Sequence, residues 1–307
     1  MAVEIGTADN YLDLLEKLRV FLTTNEELVS AGQQWEVLSE KKENYAKQVF
    51  FKAPGLTGKE NIFINIRAVY STNKDVYNWQ ISGAVGYEDQ FGLDEQPGNK
   101  SVYSFLWQHK IPYWFVANGQ RVIVVAKVST VYMTMYMGKI LPYGTPNHFP
   151  YPVLISGCGE SWWKRWSSTL MDTSCIFSPG KGSYFYYPDG TWKQVSNRYG
   201  TETSYRVKTD QIMVSPTADG GFLRTSSSDW DGKPISPNPD GSYVLLPLIL
   251  FSTQLSQNVY GEIDGLYWIS GLANASENVI TIGEKQYLVV QNIFRTTWDE
   301  YGAVELR

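Results

Sequence analysis

The sequence has few of the residues that build metal sites and nucleophilic sites. In 307 residues it has two histidines and two cysteines. His109 and His148 have no second His or Cys at metal-ligand spacing, and no Gly-x-Ser-x-Gly motif indicates a hydrolase. Because no secretion signal precedes Cys158 and Cys175, we expect free thiols rather than a disulfide. We therefore predict that the protein is not an enzyme and uses no metal or cofactor.

The chain also lacks a run of basic residues and a long apolar run. Its net charge is −5, and no cluster of Lys and Arg provides the footprint of a nucleic-acid-binding groove. No apolar stretch approaches the roughly 20 residues that span a bilayer, and the N-terminus lacks the layout of a signal peptide. We expect no nucleic-acid partner, no membrane insertion, and a cytoplasmic location unless the protein leaves within a larger assembly.

Aromatic residues are abundant. They make up 15% of the chain, with 21 Tyr and 11 Trp. Tyr and Trp combine large apolar area with a polar group, which suits protein interfaces and carbohydrate platforms. The same composition suits the core of a β-sandwich. The hydrophobic content of 43% argues against disorder.

Residues 1–33 are predicted to form an N-terminal helical segment. Apolar residues recur at helical spacing from about Asn10 to Leu22, and Thr7, Asp9 and Asn10 are candidate N-caps. The helix either packs on its own domain, which we favour, or serves as a docking element.

Residues 111–152 are the most strand-like part of the chain. Two apolar runs joined by Asn118-Gly119 predict a hairpin with a type I′ turn. The next run alternates Met with Thr and Tyr, and a bend near Ser129 separates it from the run before. We place the Met face in the core and expect the Tyr face to meet a neighbouring molecule.

The proline-rich loop at 142–152 is the first candidate for a contact surface. Each proline restricts its own backbone and that of its predecessor, so the loop is stiff. Together with the Tyr face, it gives the candidate protein-contact residues Tyr132, Tyr136, Pro142, Tyr143, Phe149 and Tyr151.

Residues 156–240 differ in character, because Gly, Ser, Thr, Asp and Asn dominate. They form either a loop-rich insertion or a small β insertion. If the protein binds a glycan, the candidate contacts are the aromatic residues of this segment: Trp162, Trp163, Trp166, Tyr184 and Tyr186.

The remaining runs predict a mainly β protein. Strands are expected at 48–52, 61–67, 76–82 and 243–251, with a loop at 86–100. Residues 259–270 read as two short runs with a turn at Asp264-Gly265, followed by a hairpin at 279–292. We predict an antiparallel β-sandwich or jelly-roll-like domain, with a short N-terminal helix and a main β domain at 34–155 and 241–307.

Four stretches resemble a family of tailed-bacteriophage virion structural proteins. They read EIGTADNYLDLLEKLRVFLT, YNWQISGAVGY, IPYWFVANGQRVIVVAKVSTVYMTMYMGKILPYGTPNHFPYP and VYGEIDGLYWISGLANASENVITIGEKQYLVVQNIFRT. The family is associated with tail or baseplate genes and has no defined activity. The resemblance does not extend to residues 156–240, and it carries over no catalytic residue.

The resemblance implies a structural protein of the virion, assembled in the host bacterial cytoplasm. Several copies would surround a symmetric tail or baseplate and contact each other and other virion proteins. One alternative is a receptor- or glycan-binding tail-tip protein, with a host surface glycan as its partner. A second, which we favour less, is an envelope-degrading hydrolase.

Overall fold

Strands account for 51% of the chain and helices for 11%. The computed structural model describes residues 1–43, 46–144, 152–165, 173–177, 182–197, 212–215, 236–252, 259–293, 298 and 300–307. The sheets are antiparallel except for one described parallel pair, β13 with β14, and the architecture is consistent with a β-sandwich. The predicted fold class is therefore confirmed.

The elements follow one another in this order: β1 Ala2–Ala8, α1 Tyr11–Thr24, α2 Glu26–Ser30, β2 Glu36–Glu43, β3 Ala46–Ala53, β4 Ile62–Ser71, β5 Val76–Ala84, β6 Lys100–Leu106, β7 Ile111–Ala117, β8 Arg121–Val128, β9 Val131–Lys139, β10 Leu141–Pro142, β11 Val153–Ser156, β12 Ser183–Tyr186, β13 Trp192–Asn197, β14 Ile212–Ser215, β15 Leu246–Ser252, β16 Val259–Trp268, β17 Val279–Ile282, β18 Lys285–Gln291 and β19 Tyr301–Glu305. Short 3₁₀ turns lie at Thr72–Lys74 and Leu93–Glu95.

The strands form a five-stranded sheet and a fourteen-stranded sheet. In the small sheet, β2 to β6 pair in chain order. The large sheet runs β1-β7-β8-β9-β11-β12-β13-β14-β15-β16-β19-β18-β17, with β10 paired to β16. The described strands within 156–240, β12 to β14, thus lie between β11 and β15 and continue the large sheet.

The centre of the large sheet is buried on both faces. Successive side chains of a strand point to opposite faces. On β8, Val122 and Val124 enter a core shared with α1 and the five-stranded sheet, whereas Ile123 enters a second core shared with Leu266 and Val304 of β16 and β19. The second half of the large sheet, which contains β16 and β19, therefore packs over the first half, which contains β8. This gives a layered structure with two cores: the first lies against α1 and the five-stranded sheet, and the second lies between the two halves.

The N-terminal helix is confirmed, but a strand precedes it. The Asn10 side chain accepts hydrogen bonds from the backbone N–H groups of Leu12 (2.9 Å) and Asp13 (3.1 Å), which makes Asn10 the N-cap. Strand β1 pairs with β7 along its whole length. Local periodicity did not indicate this strand, because its partner lies more than one hundred positions further along the chain.

The hairpin at Asn118-Gly119 is confirmed, but its turn type is different. Neither residue has a positive φ, so the turn is not type I′. Instead, the Asn118 side chain accepts hydrogen bonds from the backbone of Gln120 (2.9 Å) and Arg121 (3.0 Å). The glycine is needed because a Cβ at position 119 would overlap the carbonyl of Gly55.

Other expectations for the strands have mixed outcomes. The bend at Ser129, which has a φ of 56°, and the burial of the Met face of β9 are both confirmed. The expected turn at Asp264-Gly265 is wrong, because β16 runs continuously through both residues. Gly265 lies within the strand with a φ of 77°. Strands β2 and β6 were not predicted, since EVLSEKKE and KSVYSFL are rich in polar residues.

Candidate contact surfaces and a polar cleft

The Tyr face of β9 is not a free surface. Tyr136 and Tyr132 are both buried in the second core. The Tyr136 hydroxyl donates to the carbonyl of Lys139 (2.6 Å), and the Tyr132 hydroxyl donates to the carboxylate of Glu277 (2.6 Å). The expectation that these two residues meet a neighbouring molecule is wrong, because the second half of the large sheet covers them.

Among the described candidate contact residues of the proline-rich loop, Tyr143 is exposed and Pro142 is not. Pro142 is half-buried and pairs with Gly261 in the β10–β16 ladder. The ring of Tyr143 is exposed, while its backbone N–H donates to the carbonyl of Tyr260 (3.0 Å). Phe149 and Tyr151 lie outside the described residues. Tyr143 therefore stays a candidate for contact with another protein, and the hydrogen bond to Tyr260 holds its backbone in place.

The candidate glycan residues do not form one flat platform. Trp162 and Trp163 are 38% and 50% exposed, and their ring centroids lie 6.1 Å apart at an interplanar angle of 89°. Tyr184 is buried, and its hydroxyl donates a hydrogen bond to the carboxylate of Glu160. Tyr186 packs edge-on against Trp192. Trp166 lies outside the described residues. The expectation that Tyr184 is a surface contact is therefore wrong, because its ring is buried in the first core.

Strand β17 forms one edge of the large sheet and exposes apolar side chains there. Among the described strands it pairs only with β18. Val279 is 51% exposed and Ile282 is 45% exposed. An edge strand offers unpaired N–H and C=O groups to another chain, and charged residues or proline usually protect such an edge. Neither type of residue occurs within the four residues of β17, and no described strand other than β18 pairs with it.

A buried ion pair joins the two halves of the large sheet. Arg121, at the start of β8, is fully buried, and its Nε lies 3.0 Å from Oδ2 of Asp264 on β16. The side-chain amides of Asn118 (2.9 Å) and Gln120 (3.3 Å) donate to the same oxygen. Burial acts to raise the pKa of Asp264, but the Arg121 charge and these hydrogen bonds outweigh it and lower that pKa. This cluster is a structural junction rather than an accessible site.

Cys158 and Cys175 are free thiols, as expected, and both are buried. Their sulfur atoms lie 4.0 Å apart. Burial raises the pKa of the Cys175 thiol well above its usual value. Neither thiol has the exposed, electropositive surroundings of a reactive cysteine.

The outer face of the five-stranded sheet carries a row of polar side chains. The antiparallel register places Gln48, Arg67, Gln80 and Tyr103 directly opposite one another on β3, β4, β5 and β6. Side chains at directly paired positions on one face are neighbours. The row forms the floor of a cleft of about 310 Å³, which is near the lower end of the ~300–1,000 Å³ typical of ligand sites.

The sides of this cleft are aromatic. Tyr70 and Trp162 line it together with the four floor residues. Asn78, which is buried on the same face, donates its amide hydrogens to the carbonyls of Trp162 (2.8 Å) and Lys164 (2.9 Å). Its oxygen accepts from the backbone N–H of Leu106 (3.1 Å). Asn78 therefore fixes the chain segment that carries Trp162 at the edge of the cleft.

Hydrogen bonds determine the orientation of the floor. Arg67 donates to Gln80 Oε1 through Nε (3.0 Å) and pairs with the carboxylate of Asp94 (2.7 Å). The Gln80 amide donates to Asp94 (2.5 Å) and to Ser101 (2.9 Å). Gln48 is different, because its buried Oε1 accepts no hydrogen bond within the described part of the chain. Most buried polar atoms have a hydrogen-bond partner. Gln48 is therefore unusual, because it leaves an unpaired acceptor in the floor of the cleft.

Local sequence patterns do not predict this cleft, although they carry a signal for its floor. Gln48 comes directly before the apolar residues 49–51 of β3, and Asn78 and Gln80 alternate with Trp79 and Ile81. Alternation of this kind is also the pattern of an ordinary sheet with one face in water. Only the segment carrying Trp162, distant in sequence, turns that face into a cleft.

In the described ranges, no group of three or more His, Cys, Asp or Glu residues is placed to hold a metal ion. None of the described helices is long and apolar enough to cross a membrane. Comparison with protein-family models and with curated proteins finds no match.

Proposed function

We propose that this protein is a structural component of a bacteriophage virion, in the tail or baseplate. It acts through contacts with other virion proteins and with copies of itself in a symmetric assembly. Two independent lines support the proposal. One is the resemblance of four sequence stretches to tailed-phage virion proteins, and the other is the exposure of apolar side chains on the edge strand β17.

The β17 edge carries the structural part of the argument. Val279 and Ile282 are large apolar side chains in an edge strand, and about half of each is exposed. A protein that stays alone in solution usually protects such an edge, whereas an assembly protein uses it to add a strand from a neighbour. Tyr143 offers a second exposed aromatic contact, and Tyr is enriched at interfaces.

The presence of the protein in particles tests the proposal. Mass spectrometry of gradient-purified virions should detect its peptides at a fixed ratio to the other tail proteins. If purified particles contain none of its peptides, the proposal is wrong.

A matched pair of variants tests the edge. Val279→Lys places a charge on β17, where it should block strand addition and reduce incorporation into particles by at least about tenfold. Val29→Lys makes the same change on α2 at a similar exposure of 48% and should be incorporated normally. Both variants should retain the wild-type melting temperature, because both side chains face solvent. Normal incorporation of Val279→Lys would show that β17 is not the contact edge.

A further inference from the structure

We propose that the polar cleft on the outer face of the five-stranded sheet binds a neutral saccharide. This proposal does not depend on the place of the protein in a virion, because it concerns a different surface from β17. It rests on the chemistry of the floor, the charge balance of the cleft and the aromatic sides.

The floor presents the groups that recognise sugar hydroxyls. Gln48 is 1% exposed, lines the cleft, and has no donor at its Oε1 within the described residues. A buried acceptor without a partner destabilises the free protein. A half-turn of the Gln48 amide, which exchanges its oxygen and nitrogen, would let a ligand hydroxyl in the cleft supply the missing hydrogen bond. The Gln80 amide is already oriented by Arg67 and Asp94, so the floor is organised before the ligand arrives.

The charge balance favours a neutral ligand over an anion. Arg67 is the basic residue of the cleft, and Asp94 lies 2.7 Å from its guanidinium. An anion would have to compete with this carboxylate for Arg67 and would be repelled by it. A neutral hydroxyl can accept from Arg67 while the ion pair remains in place.

The aromatic sides suit the apolar faces of a sugar ring. Trp162 is 38% exposed at the edge of the cleft, and Tyr70 and the floor residue Tyr103 also line it. Aromatic rings give a broad apolar contact together with a polar group, which matches the C–H face and the hydroxyl edge of a pyranose. The volume of about 310 Å³ corresponds to a monosaccharide or a disaccharide unit.

The test is direct titration of the full chain. The probes are glucose, galactose, rhamnose, N-acetylglucosamine, lactose and chitobiose, with N-acetylneuraminic acid and inorganic phosphate as the anionic arm. Calorimetry and saturation-transfer NMR measure binding. We expect saturable binding of at least one neutral sugar and none of the anions. Binding of the anions alone, or of no probe, would overturn the proposal.

Variants then locate the site. Trp162→Ala should weaken binding by about tenfold through loss of the aromatic contact. The matched control is Trp163→Ala, because Trp163 is exposed in the same segment but does not line the cleft; it should bind like the wild type. Wild-type affinity of Trp162→Ala would place the sugar elsewhere.

Gln48→Leu separates binding from stability. The change removes the unpaired buried oxygen at similar volume, so the melting temperature of the free protein should stay the same or rise. Sugar binding should be lost. If the variant binds sugar normally, Gln48 is not a contact and the proposal fails. Should Gln48→Leu fold poorly, the exposed Trp162→Ala variant still decides the outcome.

Discussion

Replacing Asp264 by Asn should destabilise the protein by about 3–5 kcal/mol, because it leaves a buried charge without its counter-charge. The Arg121 guanidinium is 1% exposed and lies 3.0 Å from the Asp264 carboxylate. Its other described contacts are the carbonyl of Val116 (3.3 Å) and the sulfur of Met1 (3.2 Å). Neither carries a charge, so neither replaces the carboxylate.

The asparagine variant isolates the charge from the hydrogen bonds. Its amide oxygen can still accept from the side chains of Asn118 and Gln120, which donate to Asp264 Oδ2 in the native protein. The loss is therefore mainly electrostatic. A loss of this size is a large part of the ~5–15 kcal/mol by which domains are stable.

A double-mutant cycle in urea measures the effect. Arg121→Met removes the charge and keeps an apolar side chain of similar length. Arg121→Met combined with Asp264→Asn should be more stable than Asp264→Asn alone, because the double variant buries no charge. If Asp264→Asn costs less than about 1 kcal/mol, or the two changes are additive, the ion pair does not hold the halves of the large sheet together.

The cost of Asp264→Asn should also depend on pH. The pKa of Asp264 in the folded protein lies below its ordinary value. A lowered pKa contributes stability that is complete above the unfolded pKa of about 3.9 and is lost as the pH falls through the folded pKa. The difference between wild type and variant should therefore be constant near neutral pH and shrink below about pH 4. A difference that grows on acidification would contradict the assigned direction.

Three further changes test the fold. Asn10→Ala should cost about 1 kcal/mol by removing the N-cap of α1, and Asn10→Asp should cost little, both measured by urea unfolding. Gly119→Ala should cost about 1–3 kcal/mol, because its Cβ would overlap the Gly55 carbonyl. Gly92→Ala serves as the control, because its Cβ would make only an ordinary contact of 3.7 Å with Glu95 Oε2 and Gly92 has a negative φ. Met135→Ala should cost about 2–5 kcal/mol by opening a cavity in the first core, and Met135→Leu less than about 1.5 kcal/mol; equal costs for the two Met135 variants would mean that this core is loosely packed.

Local sequence patterns predicted the elements whose signals are short-range. The helix over α1 follows from its apolar spacing, and its approximate start follows from the candidate N-caps Thr7, Asp9 and Asn10, of which the structure uses Asn10. The hairpin around Asn118 follows from turn residues between β-branched runs, and the bend at Ser129 follows from the length that a continuous strand would have. Strand β1 and the type of turn at Gly119 depend instead on partners distant in sequence, β7 and Gly55. No local pattern contains that information.

The sequence by itself determined a mainly β chain with one capped helix, an apolar Met face on β9 and two unbridged thiols. The tertiary structure decided which surfaces are free. It buried Tyr132 and Tyr136 by folding the large sheet over itself, and it left Val279 and Ile282 exposed on the edge strand β17. It also placed Trp162 beside Gln48 and Gln80 to form a cleft. The physical reason is that alternation assigns a side chain to a face of a strand, whereas long-range packing decides what covers that face.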